Sequence, residues 1–282
     1  MFNELNLDLQ AFAKRVYDSV LYQSTFYNFL NMNYIGTLRQ TGAPVIEVAK
    51  TDVLSVNVRE TKEIQTALDP ALTTYSHTMV DLTELNMDYA IRVPIMVTGS
   101  DITNAIQDAA DLEDSAIARQ IDVYGYNKLA STEGITEVAW NPSTKEDYIS
   151  TLNGLRAVLF NRNITGDYRL GLGAVEYGNL VSALTSVIKF ENMDINEVVS
   201  LGEIARVYGI SVFEINDNVL EDAVGYFFNP IAVVGDSFFS AFVSTSTNIH
   251  YPGYFCLSGT QSFGAAVVRK EAIIKLVSEV SA

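Results

Sequence analysis

Few residues in this chain could do chemistry. There are 2 histidines, His77 and His250, and a single cysteine, Cys256. One cysteine excludes an internal disulfide framework and a thiolate-rich metal site. Cys256 stands among apolar and aromatic neighbours, Tyr254-Phe255-Cys256-Leu257, which suits an inert structural thiol rather than a nucleophile. His250 precedes the loop signature Tyr251-Pro252-Gly253, and His77 has no cysteine or histidine near it in sequence. Both read as surface or satisfied histidines rather than metal ligands. The acids Asp108, Asp111, Glu113 and Asp114 read as a solvated helix face, with a divalent-cation site as the alternative. Gly171-Leu172-Gly173 lacks the third glycine of a dinucleotide fingerprint, and no Walker-type phosphate loop or Gly-x-Ser-x-Gly elbow occurs. The sequon Asn163-Ile164-Thr165 has meaning only on a secretory route. No catalytic, cofactor-binding or metal-ligating residue is therefore assigned. A pair of carboxylates assembled in space stays open as an enzymatic alternative.

The composition agrees. The chain has 282 residues and a net charge of −16, from 18 basic and 34 acidic side chains. Its 48% hydrophobic and 18% charged residues exclude a disordered chain. A strong acidic excess argues against direct wrapping of nucleic acid, because phosphate binding needs a basic face. Met1-Phe2-Asn3-Glu4-Leu5 lacks the basic start and apolar core of a signal peptide. The uncharged stretch Ser237–Val268 is broken by Ser, Thr, Asn, Gly and Pro252 and reads as buried strands and turns, not a membrane span. A soluble, intracellularly made protein is expected, with one large domain or two small ones.

The elements that must carry such a chain read as α+β, mixed rather than alternating. Leu9, Phe12, Val16, Val20 and Leu21 suit a short amphipathic helix within 8–30. Val45 to Val58 reads as a strand, and a second strand runs with alternation from Met79 to Val93. The polar stretch Arg59–Gln65 and the turn Asp69-Pro70 separate them, giving an extended hairpin. Such a hairpin has little core of its own and needs neighbours. Ser100 reads as the cap of a long helix ending near Ala130, with Ile102, Ile106, Ala109, Ile117, Ile121 and Tyr124 along one stripe. Ser143 and Glu146 form the expected capping box of a helix bearing Tyr148, Leu152, Leu155 and Leu159 on one face. Further expectations are a strand at Tyr168–Leu172, a helix at Ala174–Val187, a short helix at Glu203–Val207, and a strand at Ile210–Ile215. A turn is expected at Asn216-Asp217-Asn218, a strand at Tyr226–Val234, and a strand at Ala265–Val268 followed by a charged turn and a final apolar segment. No Lys or Arg occurs between Val207 and Val268.

Three stretches, in this order, carry a resemblance. Asn33-Tyr34-Ile35-Gly36-Thr37-Leu38 with Gly42-Ala43-Pro44-Val45 looks like an arm-to-hairpin junction. Gly202-Glu203-Ile204-Ala205-Arg206-Val207-Tyr208-Gly209-Ile210-Ser211-Val212 matches a G-x-I-x-x-x-x-G-h-x-V segment, h being apolar. Asn229-Pro230-Ile231-Ala232 with Phe263-Gly264-Ala265-Ala266-Val267-Val268-Arg269 looks like a final stretch. Over essentially the whole chain the order resembles the major capsid proteins of tailed bacteriophages, the Hong Kong 97-type capsid fold shared with encapsulins.

That resemblance implies an N-arm at 1–44, an extended E-loop hairpin at 45–92, a peripheral (P) domain at 93–135 and 242–269 with a long spine helix, and an axial (A) domain at 136–241 and 270–282. It implies a structural, non-enzymatic protein of the virion, assembled in the bacterial host cytoplasm. The subunit would form hexamers and pentamers of an icosahedral shell around double-stranded DNA. Its partners would be further copies, a portal protein, and separate scaffolding or decoration proteins. No cofactor, membrane or sequence-specific DNA contact is implied. The fold is expected to start almost at Met1, so a cleaved scaffolding segment is not expected. Lys62 is the candidate for an autocatalytic Lys–Asn crosslink, without identified Asn or Glu partners. An acidic lining would let DNA slide, and the 1 Trp, 15 Tyr and 14 Phe would supply interface area. An encapsulin-like compartment with a cargo-peptide pocket is the second reading, and a carboxylate-based enzyme the third.

Overall fold

The computed structural model describes residues 20, 23–31, 45–51, 75–81, 83–94, 100–184, 203–207, 209–244 and 254–278. Eleven strands and three α-helices follow one another within them. They are β1 Val45–Thr51, β2 Tyr75–Asp81, β3 Leu85–Pro94, α1 Ser100–Ala130, β4 Thr136–Ala139, α2 Lys145–Asn161, β5 Tyr168–Gly173, α3 Ala174–Leu184, β6 Glu203–Val207, β7 Ile210–Ile215, β8 Gly225–Phe228, β9 Val233–Ser244, β10 Tyr254–Val267 and β11 Ile273–Val277. Three sheets result: β1-β2, β3-β10-β9, and the mixed sheet β4-β11-β8-β5-β7-β6. This is the α+β arrangement expected. No helix among the described residues is long and apolar enough to cross a membrane.

Periodicity explains the helices. On α2 the buried residues are Tyr148, Leu152, Leu155 and Leu159, the expected face. Its capping box lies one residue beyond the expected Ser143/Glu146 pair. Thr144 is extended (φ −119°, ψ 163°) and its side chain accepts the Asp147 amide, while the Asp147 carboxylate accepts the Thr144 amide at 2.9 Å. Asp147 is short enough to reach back, and Ser143 joins by donating its hydroxyl to the same carboxylate at 3.0 Å. The long helix α1 has 31 residues, Ser100 being its first helical residue. At 1.5 Å per residue it is a rod of roughly 46 Å. Ile117, Ile121 and Leu129 are buried on it, and Gly125 completes their stripe of fours. The side chains of Ile102, Ile106 and Ala109 lie outside the described residues.

Strand readings hold less evenly. The run from Met79 to Val93 is not one strand: β2 pairs only with β1, whereas β3 pairs with β10. A polar Thr83-Glu84 turn separates them. The expected helix at Glu203–Val207 is a strand, β6, antiparallel to β7. Gly209 at φ +78° closes that hairpin, and the β-branched residues of β7 give β6 a partner that its propensity alone did not reveal. The expected strand Tyr226–Val234 is split. Pro230 lacks an amide, and Asn229 accepts the Ile231 amide with its own side chain at 3.1 Å, so a short turn Pro230–Ala232 intervenes before β9. The final apolar segment, β11, lies inside the six-stranded sheet between β4 and β8. Residues 1–19, Lys62, the Asp69-Pro70 turn, His250 and residues 185–187 lie outside the described residues.

The pair Gly171 and Gly173 has a packing role. On β5 a Cβ at Gly171 would lie 2.5 Å from Ile215 Cδ1 and 2.8 Å from the Phe213 ring. Gly171 lets two large side chains of β7 cover that face, and a Cβ at Gly173 would collide with the Asp217 carboxylate in the turn after β7.

One aromatic turn joins these parts. Residues Thr25–Phe29 form a 3-10 turn in which Phe26, Tyr27 and Phe29 are buried. Phe29 stacks on Phe228 with centroids 3.7 Å apart and meets Tyr126, Tyr226 and Phe213 edge-on at 5.7, 5.9 and 6.0 Å. Phe26 and Tyr27 meet Phe263 of β10 at 6.2 and 5.8 Å. The Phe26 ring lies directly on Gly125, where a Cβ would fall within the ring's own envelope. Gly125→Ala is expected to lower stability by about 1–3 kcal/mol through overpacking, against an intrinsic helix gain of about 1 kcal/mol. The denaturation midpoint checks this, and an unchanged midpoint would mean that the ring can move aside.

Candidate functional site

No described constellation suits catalysis. Among the described residues no group of three or more His, Cys, Asp or Glu is placed to hold a metal ion. His77 lies on β2 opposite Ala49, and Cys256 lies on β10 between Arg92 and Ser244. Their side chains are outside the described set, as are those of Asp108, Asp111, Glu113 and Asp114 on α1. Asn163 of the sequon has φ +58° in the turn after α2. The features open to functional reading are instead the places where the chain leaves the packed body.

The first is the seat of the N-terminal segment. Asp122 on α1 accepts four hydrogen bonds from it. Ser24 Oγ and the Phe26 amide donate to Oδ1 at 2.6 and 2.9 Å. The Thr25 hydroxyl and amide donate to Oδ2 at 3.1 and 3.3 Å. Thr25 Oγ1 also lies 3.0 Å from the Tyr126 hydroxyl. Arg169 Nη1 donates to the Asn28 carbonyl at 2.8 Å, and the Asn31 amide donates to the Val233 carbonyl at 2.9 Å. The segment is thus held by α1, β5 and β9 together. Burial pushes the Asp122 carboxyl above the usual carboxylate range, and these hydrogen bonds only partly oppose the rise.

The second is the base of the β1–β2 hairpin. Val48 and Val80 form a small buried cluster with Val234, bordered by Ala266 and Val268. Met79, on the opposite face of the hairpin, is 65% exposed. A two-stranded sheet is marginal alone, so this cluster is its main described tie to the body. At its foot, Lys128 Nζ and the Tyr124 hydroxyl both donate to Glu84 Oε2, the lysine at 2.6 Å.

The third is the set of sheet edges. β3 and β9 border the three-stranded sheet, and β4 and β6 border the six-stranded one. Such edges present unpaired backbone groups to a partner.

The sequence reading missed Asp122 and Glu84 as organising residues. Asp122 lies 97 positions from the Thr25 amide it accepts, a pairing that no local pattern reports.

Comparison with solved structures supplies the fold's relatives. The chain is similar to a structure from Mycobacterium phage Che8, with a TM-score of 0.60 and 17% identity over 92% of this chain and 93% of that one. It is similar to the capsid of the cyanophage P-SCSP1u, with a TM-score of 0.57 and 15% identity over 85% and 84%. It is also similar to the mature capsid of bacteriophage PhiM1, with a TM-score of 0.53 and 8% identity over 84% and 82%. No protein-family model matches the chain, and no curated protein matches its sequence. The chain therefore has an α+β fold with mixed sheets that is the fold of phage capsid structures.

Asp122→Asn sets an amide donor against backbone donors and is expected to cost about 1–3 kcal/mol. The raised carboxyl keeps its proton to higher pH in the folded chain than in the unfolded one. Its favourable contribution is thus full below the ordinary carboxyl range and is lost as pH rises through the raised value. The melting-temperature advantage of the wild type over Asp122→Asn should accordingly be largest below the ordinary carboxyl range and shrink as pH rises above it. A gap that widens with rising pH would contradict the assignment.

Proposed function

We propose that this chain is the major capsid protein of a tailed bacteriophage, a structural subunit that self-assembles into an icosahedral shell around double-stranded DNA. The observation that carries this is the fold likeness, which spans 84–92% of this chain and 82–93% of its matches. The role needs no catalytic step. Many weak contacts, summed over a closed symmetric lattice, provide the stability.

In this reading 1–44 is the N-arm, 45–92 the E-loop, 93–135 and 242–269 the P domain with α1 as its spine, and 136–241 and 270–282 the A domain. The sheet pairings favour moving two junctions: β3 and all of β9 pair with β10, so the hairpin proper would begin its return near residue 84 and the P domain would resume near 233. The hairpin would lie on a neighbouring copy, consistent with its small core. Hexamers, pentamers and a portal protein follow from the shell, and assembly in the host cytoplasm from its phage origin. An encapsulin-like compartment has less support, because the matches with TM-scores from 0.53 to 0.60 given above come from phages.

Negative-stain electron microscopy with light scattering tests the reading. Closed shells of uniform size are expected, with packaged DNA distinguishing a phage from a peptide-loaded compartment. A stable monomer, even with the genomic neighbours co-expressed, would overturn it. Met79→Asp adds a second test. Burying this side chain against a neighbouring copy is worth about 1.5–3 kcal/mol per contact, so the variant should keep the wild-type melting temperature as a subunit while its yield of closed shells falls several-fold. Unchanged yield would remove Met79 from the interface.

A further inference from the structure

We propose that Glu84 is a latch on α1 that sets the angle at which the β1–β2 hairpin leaves the body. The hairpin's register runs from Val45 opposite Asp81 to Thr51 opposite Tyr75. That of β3 with β10 begins at Leu85 opposite Phe263. The chain therefore passes from one sheet to another between Asp81 and Leu85, so any rotation of β2 against β3 falls on that corner.

The inside of this corner is stiff. Asp81 Oδ1 accepts the Thr83 amide at 2.8 Å and its hydroxyl at 2.7 Å. Asn86 Nδ2 donates to the Thr83 carbonyl at 3.0 Å, and Ser262 Oγ of β10 donates to Asn86 Oδ1 at 2.6 Å. The corner thus belongs mechanically to β10. Its outward tie is Glu84. One carboxylate oxygen takes both the Lys128 ammonium and the Tyr124 hydroxyl, which stand one helical turn apart on α1. Those donors are themselves placed: the Tyr124 ring packs edge-on against Phe263 at 5.8 Å, and the Lys128 ammonium lies 5.8 Å from the Tyr124 ring centre. Burial pushes the Glu84 carboxyl up, yet the hydrogen bonds and charge of Lys128 with the bond from Tyr124 hold it below the usual range. The carboxylate is therefore the form the corner favours.

Exposed ion pairs alone contribute little to stability. Here the pair is not asked to hold the fold. It selects one orientation of a hairpin whose other described attachment is the apolar Val48–Val80–Val234 cluster. An apolar contact has no directional preference, so orientation must come from the polar tie. Resting on the capsid reading, the latch would present the hairpin pre-aimed at the neighbouring copy.

Hydrogen exchange of the segment 79–86 tests the latch itself, on the full chain in the same assembly state throughout. Glu84→Ala should speed exchange there roughly 3- to 10-fold, with a melting temperature within about 2 °C of wild type. The double exchange Glu84→Lys with Lys128→Glu should restore slow exchange. Unchanged exchange in Glu84→Ala, or failure of the folded double variant to restore it, would overturn the latch. Electron microscopy then reads the consequence. Shells of mixed size from Glu84→Ala and uniform shells from the double variant support pre-aiming, whereas uniform shells from Glu84→Ala overturn it. Absence of shells from the wild type would remove the capsid reading and leave the exchange result standing.

Discussion

A buried aromatic turn near the N-terminus is the constraint on which the described structure depends. Phe29 touches aromatic rings from α1, β7 and β8, and its neighbours Phe26 and Tyr27 reach Phe263 on β10. Three fully or nearly fully buried rings within one short turn bring a large apolar area into the core. They also bring backbone amides that need partners away from water. Asp122 resolves that conflict by accepting the Thr25 and Phe26 amides, and Gly125 resolves the steric one by leaving room for the Phe26 ring. The helix, both larger sheets and the N-terminal segment are thereby fixed to one another at one point, and a single large core cluster runs through them.

The parts outside that cluster are built differently. The β1–β2 hairpin has two core valines, Val48 and Val80, which meet Val234 of β9, together with an exposed Met79 and a polar corner. Its orientation is cheap to change and costly to lose only when something else depends on it. For a subunit of a closed lattice this division is physically sensible: the body must be rigid so that symmetry is exact, while the reaching element must settle against a neighbour. The charge balance points the same way. With a net charge of −16 and no Lys or Arg between Val207 and Val268, copies would repel at long range. In the proposed shell, attraction would then come from short-range apolar burial and backbone pairing at sheet edges.

How far the sequence discloses this depends on the range of the interaction. The face of α2 is legible because Tyr148, Leu152, Leu155 and Leu159 repeat at helical spacing, and α1 because its pattern is long. The capping box is misread by one position because Ser143, Thr144, Glu146 and Asp147 offer two overlapping boxes, and only backbone geometry chooses between them. β6 is misread because a five-residue segment has no period to count, and its fate is decided by pairing with β7. The apolar run from Met79 to Val93 conceals a change of sheet: Met79, Leu82 and Leu85 are three apart, and strict alternation starts only at Leu85, where β10 becomes the partner. Asp122 is invisible because the carboxylate and the turn it caps are far apart in sequence. Gly171 and Gly173 stand out in the sequence, but the use of Gly171, to admit Phe213 and Ile215, appears only when β5 and β7 are side by side.

The chemistry of the corner follows from the same logic. Were an apolar side chain buried in place of Glu84, any swing of the hairpin would expose core to water and be opposed by the hydrophobic effect over its whole course. A carboxylate shared between Lys128 and Tyr124 is different. These groups are partly exposed, with Glu84 and Lys128 side chains at 37% and 36%, so water can replace each partner at little net cost. The polar tie therefore defines a preferred angle without forbidding others. The aromatic turn of the body has the opposite character, since opening it strands the Thr25 and Phe26 amides and uncovers stacked rings. One chain thus holds a seat that resists movement and a corner that permits it, separated by only a few residues of α1 between Asp122 and Lys128. The helix is the common rail: it fixes the N-terminal segment with one face and aims the hairpin with the next.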